Sequence, residues 1–321
     1  MLVLEKLTKT TINLPQGGQV TAICNKSAEG GSLICRTLMI GLHGGSYDSS
    51  YFAAHDSASP FEICDKFRMP MIAIDRPSYG QSTAVAPLEE TNETFMKSQA
   101  RYITETILPA VWSCFKDRLG TVRLIIYGHG IGAAIAAMVA SNYSRLVETS
   151  AIMYPLDGII LSSVAGKAAL SVADEEAPSN VDGAPTGFPL DVKNMVMLNG
   201  PGFDFASADM LQLSATLDRP MPSAEFYDIT WQWPTYWKSY FADIGVHVLH
   251  IIEEGGPMWK GSREMQEAFV IELNRTGSGK GEVTTHLVKH APHCIELSHA
   301  APEAVLAAIG WAMALERLGK A

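Results

Sequence analysis

Apolar positions along this chain fall into two rhythms. Short runs rich in apolar and β-branched residues stand at 38–42, 70–75, 124–127, 157–162, 246–252 and 283–289. Longer stretches with apolar residues three and four apart lie at 93–116, 132–140, about 262–274 and 302–318. Runs of the first kind predict strands buried on both faces, and the second kind predicts helices. Pro109 lies inside the first helical stretch, which predicts a kink or a division there. Ahead of these elements, 1–9 and 19–26 alternate apolar and polar residues around a turn at 15–18, the pattern of an antiparallel hairpin. Strands alternating with helices imply an α/β fold: a mostly parallel twisted sheet flanked by helices on both faces.

The rhythm is interrupted between 166 and 240, where proline, glycine, aspartate and aromatic residues accumulate and no sheet strand stands out. We expect a mostly helical cap inserted between two sheet strands, leaving 1–165 and 241–321 as the core. Trp231, Trp233, Phe203, Phe205 and Met210 supply large apolar side chains there. Such side chains suit the wall of a pocket at the open ends of parallel strands.

With 321 residues, 47% of them apolar and 18% charged, the chain can bury a large core. A net charge of −10 argues against non-specific binding to nucleic acid or an anionic membrane. No apolar run approaches the roughly 18 residues of a membrane span. The N-terminus lacks the basic and then apolar pattern of a signal peptide. Five scattered cysteines suit reduced thiols. A cytoplasmic protein acting on a small apolar molecule is the expectation. His286 and His290 lie four apart without clustered carboxylates or cysteines, so neither a metal nor another cofactor is expected.

The most informative stretch is 124–140, LIIYGHGIGAAIAAMVA. An apolar strand, a glycine-rich turn and a small-residue helix are the setting of the G-x-S-x-G nucleophile elbow. Here the five positions are Gly128, His129, Gly130, Ile131 and Gly132, so glycine stands where the serine would. Three further features occur in order with it: His43-Gly44-Gly45 after one strand, DRPSYGQS at 75–82 after the next, and a late loop around His293. Together these four resemble the α/β-hydrolase superfamily over essentially the whole chain.

The resemblance implies a site of converging strand ends. His293 would be the catalytic base. Oxyanion donors would be the amide of Ile131 and amides near Gly44, Gly45 or Ser46. His129 would line the core or pocket wall. The acid is expected after the strand at 246–252, where Gly256 stands in place of the usual aspartate; Glu254 is the first choice and Glu253 the second. Cys294 neighbours His293 on the same loop, which gives it the wrong geometry to replace an elbow serine.

Three readings of Gly130 stay open at this level. It replaces a native serine in a hydrolase of a bulky ester, lactone or thioester, of a kind found in secondary metabolism. Or it is native, and His293 serves a cyclase, isomerase or lyase as general base. Or the fold is a catalytically silent small-molecule binder.

Overall fold

The computed structural model describes residues 6–54, 58–85, 93–149, 153–167, 176–178, 185–198, 204–254, 258, 267, 269–273 and 281–318. Its centre is an eight-stranded sheet built from β1 (Thr8–Asn13), β2 (Gln19–Cys24), β3 (Thr37–Leu42), β4 (Met71–Ile74), β5 (Arg123–His129), β6 (Leu156–Ser162), β9 (His247–Glu253) and β10 (Val283–Val288). The spatial order is β1-β2-β4-β3-β5-β6-β9-β10. β1, β2 and β4 pair antiparallel, and every other pairing is parallel. β7 (Pro185–Thr186) and β8 (Met221–Pro222) form a separate two-residue ladder.

The chain steps one way from β3 to β4 and then returns past β3 to β5. The ends of β3 and β5 therefore flank the point where the winding reverses, the place where open parallel sheets put their ligand sites. Strand alternation divides the buried side chains between two cores. Leu124 and Ile126 of β5 enter one, and Ile125 and Tyr127 enter the other.

Helices α1 (Lys26–Glu29), α2 (Pro60–Lys66), α3 (Phe95–Tyr102), α4 (Leu108–Leu119) and α5 (Ile131–Glu148) connect the first strands. Pro109 does divide the helical stretch. A wider π turn at Ile103–Ile107 precedes it, in which the Leu108 amide reaches back five residues to the Ile103 carbonyl. That turn accommodates a residue with no amide hydrogen. In α5 the side chains of Ala133, Ala134, Ala136, Ala137 and Ala140 are fully buried, so the helix lies close on the sheet.

Between β6 and β9 the described residues contribute helices α6 (Leu190–Leu198), α7 (Ala208–Leu217), α8 (Ser223–Tyr227) and α9 (Trp233–Phe241), with a π turn at Asp228–Gln232 between the last two. None of them joins the large sheet. The closing helix α10 spans Ala301–Leu318.

Several expected boundaries move. Among the described residues the first strand runs over Thr8–Asn13, four residues past the expected end at 9, because its pairing partner begins at Gln19 across the 14–18 turn; residues 1–5 lie outside the described residues. The strand expected at 246–252 runs one residue further, through Glu253. Of the helix expected at 262–274, residues 267 and 269–273 are helical; the rest lies outside the described residues. Among the described residues no helix is long and apolar enough to cross a membrane.

Candidate active site

Three chain segments meet above the winding reversal: the 43–46 turn after β3, the 129–132 turn after β5, and the loop carrying His293. Gly130 holds φ 54° and ψ −119° between β5 and α5. Positive φ of this kind strains any residue with a side chain, and glycine adopts it freely. The Gly130 amide donates to the Ser162 carbonyl of the neighbouring strand at 2.9 Å, and its own carbonyl receives the amides of Ala133 and Ala134. Gly132 is needed for another reason: a β-carbon there would run into the backbone carbonyls of Leu42 and His43.

The open side of Gly130 faces His293. A β-carbon built on residue 130 would stand 3.3 Å from His293 Nε2. At its other nitrogen, His293 Nδ1 is 2.6 Å from Ser163 Oγ, and Ser163 Oγ is 2.7 Å from Glu253 Oε2. Glu253 Oε1 itself is 3.7 Å from Nδ1. The Ser163 hydroxyl has one proton. It donates to the carboxylate and accepts from Nδ1–H, which leaves the lone pair of Nε2 facing Gly130. Burial holds His293 below the ordinary 6.5, a trend that Glu253 opposes and the neighbouring His129 charge reinforces.

Glu253 rather than Glu254 thus approaches the imidazole. Successive residues of a strand face opposite ways. Extending β9 to Glu253 buries that side chain, whereas Glu254 is exposed and pairs through its backbone amide with Val288. Gly256 lies outside the described residues. Ser163, the bridging residue, carries no sequence signal beyond its position after a strand.

Beneath His293 lies a second buried cluster. Glu296 accepts from Tyr51 at 2.7 Å, Tyr127 at 2.8 Å and Ser162 at 2.5 Å. His129 Nδ1 is 3.2 Å from Glu296 Oε2, close enough for an ion pair although its angle falls short of a hydrogen bond. Burial alone would raise the Glu296 carboxyl, but the His129 charge and the donated hydrogen bonds bring it down to about 2. Burial alone would lower His129, yet Glu296 carries it up to about 10. Glu296 thus favours the charged form of His129, whose ring centre is 4.9 Å from that of His293. Cys294 Sγ, 3.6 Å from His129 Nε2, completes the cluster.

The 43–46 turn is pinned from three sides. Arg76 is fully buried and pairs with Glu225 through two oxygens, at 2.7 and 2.8 Å. It also donates to the carbonyls of His43 and Gly44. His43 Nε2 accepts the Arg76 amide, so Nδ1 donates to the Gly44 carbonyl. Lys193 of α6 donates to the Ser46 carbonyl and to Asp218. Of the expected oxyanion donors, Gly44, Gly45 and Ile131 line one cavity with His293. Ser46 lines it too.

That cavity holds about 300 Å³. Its wall is mostly apolar, with Phe188, Val196, Met197, Met221, Phe226 and Ile229 from the segment after β6. The large side chains expected here are mostly elsewhere. Trp233 is fully buried in the core and donates to the Ala165 carbonyl. Trp231 packs against Phe226 and Tyr227 without lining the cavity. Met210 packs into a core cluster, and the Phe205 carbonyl receives the His299 amide. Phe203 lies outside the described residues. Trp233 and Trp237, four residues apart, go to the interior because their ring area is best covered there.

Known proteins share this architecture. No curated protein sequence matches the chain. Among solved structures, an E-2-(acetamidomethylene)succinate hydrolase superposes with TM-score 0.60 at 16% identity, over 94% of this chain and 97% of that one. A lipase in its open form gives 0.60 at 15%, over 97% and 98%. The thioesterase domain from a curacin biosynthetic pathway gives 0.56 at 13%, over 94% and 98%. Identities this low speak for the fold alone. The model of the alpha/beta hydrolase family matches residues 39–308, and the chain belongs to that family.

Proposed function

We propose that this chain is a cofactor-free acyl-transfer enzyme site for a bulky apolar ester, lactone or thioester, with residue 130 at the nucleophile position and the nucleophile's side chain missing. One observation carries the reading: the absent β-carbon of Gly130 points at His293 Nε2 from 3.3 Å. A hydroxymethyl group there would put its oxygen within hydrogen-bond reach of a base whose lone pair already faces it. Glu253 and Ser163 orient that base. The amides of Gly45 and Ile131 are the oxyanion donors. Residues 166–240 act as a cap, closing an apolar cavity over the reacting carbon. The esterase, lactonase and thioesterase chemistry of the structural neighbours is of the same class, and the hydrolase that acts on E-2-(acetamidomethylene)succinate shares the fold.

The test is Gly130→Ser. The variant is expected to be labelled by a fluorophosphonate probe and to hydrolyse p-nitrophenyl octanoate, while the wild-type chain is not labelled. A correctly folded serine variant with neither property would sink the proposal. The intact Glu253–Ser163–His293 chain favours one second reading for the wild-type chain itself. His293 then acts as a general base on a water or a substrate C–H, as in a cyclase, isomerase or lyase. Under that reading His293→Ala abolishes turnover of the substrate by the wild-type sequence.

A further inference from the structure

Helix α6 (Leu190–Leu198) is apolar on the side that faces the cavity and on part of the side that faces solvent. Two parts of the site hold it. Lys193 is buried and donates to the Ser46 carbonyl at 2.7 Å and to Asp218 at 2.6 Å. The Met197 carbonyl receives the Cys294 amide at 2.9 Å, which ties the end of the helix to the loop carrying His293. Residues 193 and 197 lie one turn apart on one face, so these anchors fix how the helix is rotated about its axis.

With that face held inward, Val192, Val196 and Met197 line the cavity. Val192 is nonetheless 46% exposed, which places it at the cavity's rim. Met195, three residues on, is 64% exposed. Positions three apart are neighbours on a helix surface, so Met195 continues outward from Val192. One apolar stripe results, with Met197 and Val196 inside, Val192 at the rim and Met195 outside. Exposed apolar side chains are ordinary when scattered singly; a stripe continuous with a cavity is not.

We propose that Val192 and Met195 form an outer acyl subsite, on which the distal end of a substrate chain too long for the cavity lies. The substrate class is therefore a long-chain acyl compound. The subsite rests on the proposed role of this cavity as the acyl-binding site. The cavity holds about 300 Å³, so a longer chain must leave it somewhere. A chain crossing at Val192 meets apolar surface on both sides of the rim and strands no polar group. An unbranched, polarizable methionine outside it adapts to chains of different shape.

The hexanoyl, octanoyl, decanoyl and dodecanoyl thioesters of N-acetylcysteamine test this by calorimetric titration of the wild-type chain, each below the concentration at which it self-associates. Affinity is expected to keep rising through dodecanoyl by about twofold per methylene, because full burial of a methylene is worth about fourfold and one side of the chain stays wet. Met195→Glu is expected to cut the dodecanoyl-to-hexanoyl affinity ratio by about fivefold or more, and Met195→Leu to keep it. Met195 is exposed, so both variants are expected to fold as the wild type does. A rise that stops at octanoyl in the wild type overturns the subsite and leaves the acyl site standing. A ratio unchanged in Met195→Glu overturns it as well, since the chain then leaves by another route. Binding seen only once the thioesters aggregate would assign the stripe to an amphiphile surface and overturn the subsite too. Binding of none of the four, aggregated or not, overturns the acyl-site reading and the subsite with it.

Discussion

His293 Nε2 lies 3.3 Å from where a β-carbon of Gly130 would be, closer than side chains commonly approach a ring. Adding that carbon obliges the imidazole to give by a few tenths of an ångström, and the positive φ of residue 130 adds strain. Gly130→Ser should therefore lower stability by about 1–3 kcal/mol even as it supplies the nucleophile. Urea denaturation of the two chains measures the difference; a serine variant as stable as wild type would mean the turn is relaxed.

The pH profile of that serine variant follows from the state of His293. The base works only when neutral. Burial holds the imidazole below 6.5, so it stays neutral to lower pH than a free histidine. The acidic limb of kcat/KM is expected with its midpoint below pH 6.5. A midpoint at about 7 or above would mean that Glu253 outweighs burial in setting the imidazole's charge.

Under the proposed function Ser163 positions the imidazole, and its removal separates orientation from binding. Ser163→Ala takes away the hydroxyl that bridges Nδ1 to Glu253 at hydrogen-bond distance, leaving 3.7 Å between nitrogen and carboxylate. In the Gly130→Ser background kcat should fall by about 100-fold. KM should change little, and the low-field proton resonance of Nδ1–H should be lost. A fall in affinity with kcat preserved would assign Ser163 to substrate binding instead.

Much of the fold and part of the site are legible from pattern alone. Short runs rich in apolar and β-branched residues locate the parallel strands, and the turns after 42 and 129 are readable as glycine clusters at strand ends. His293 is singled out by the family resemblance, from its place ahead of the closing helix, and not by pattern alone. Glu253 against Glu254 is not, because one residue of strand length decides which side of the sheet a carboxylate faces. Ser163, Lys193 and the Arg76–Glu225 pair are invisible for a different reason. Each depends on a partner distant in sequence (Ser163 and His293 are 130 positions apart), and no local periodicity encodes such a meeting. The tryptophans of 231–237 mislead because aromatic content shows that area must be covered without saying by what.

The His129–Glu296 pair predicts a pH signature in stability. His129 is raised from 6.5 to about 10, so its contribution is fully present below pH 6.5 and is lost as pH rises through 10. Glu296 is lowered from 4.5 to about 2, so its contribution is present above pH 4.5 and is lost as pH falls through 2. Both are present between pH 4.5 and 6.5. The stability advantage of wild type over a His129→Gln, Glu296→Gln double variant should be largest there and shrink towards pH 10. A difference constant from about pH 5 to about pH 10 would show that His129 is not charged in the fold.

Arg76 and Glu225 predict how firmly the 43–46 turn is bound to the segment after β6. Both side chains are completely buried, and Glu225 also accepts from Tyr79 and Gln99. Arg76→Met removes the cation and strands a buried carboxylate, along with the carbonyls of His43 and Gly44. Breaking such a pair from one side costs about 3–5 kcal/mol. Adding Glu225→Gln to the Arg76→Met chain removes the stranded charge and should recover part of the loss, although Glu225→Gln alone is destabilising. That reversal of sign is the diagnostic, read from urea midpoints of the four chains. Simple additivity would mean that the two residues act independently and that the turn is held by Lys193 and His43 instead.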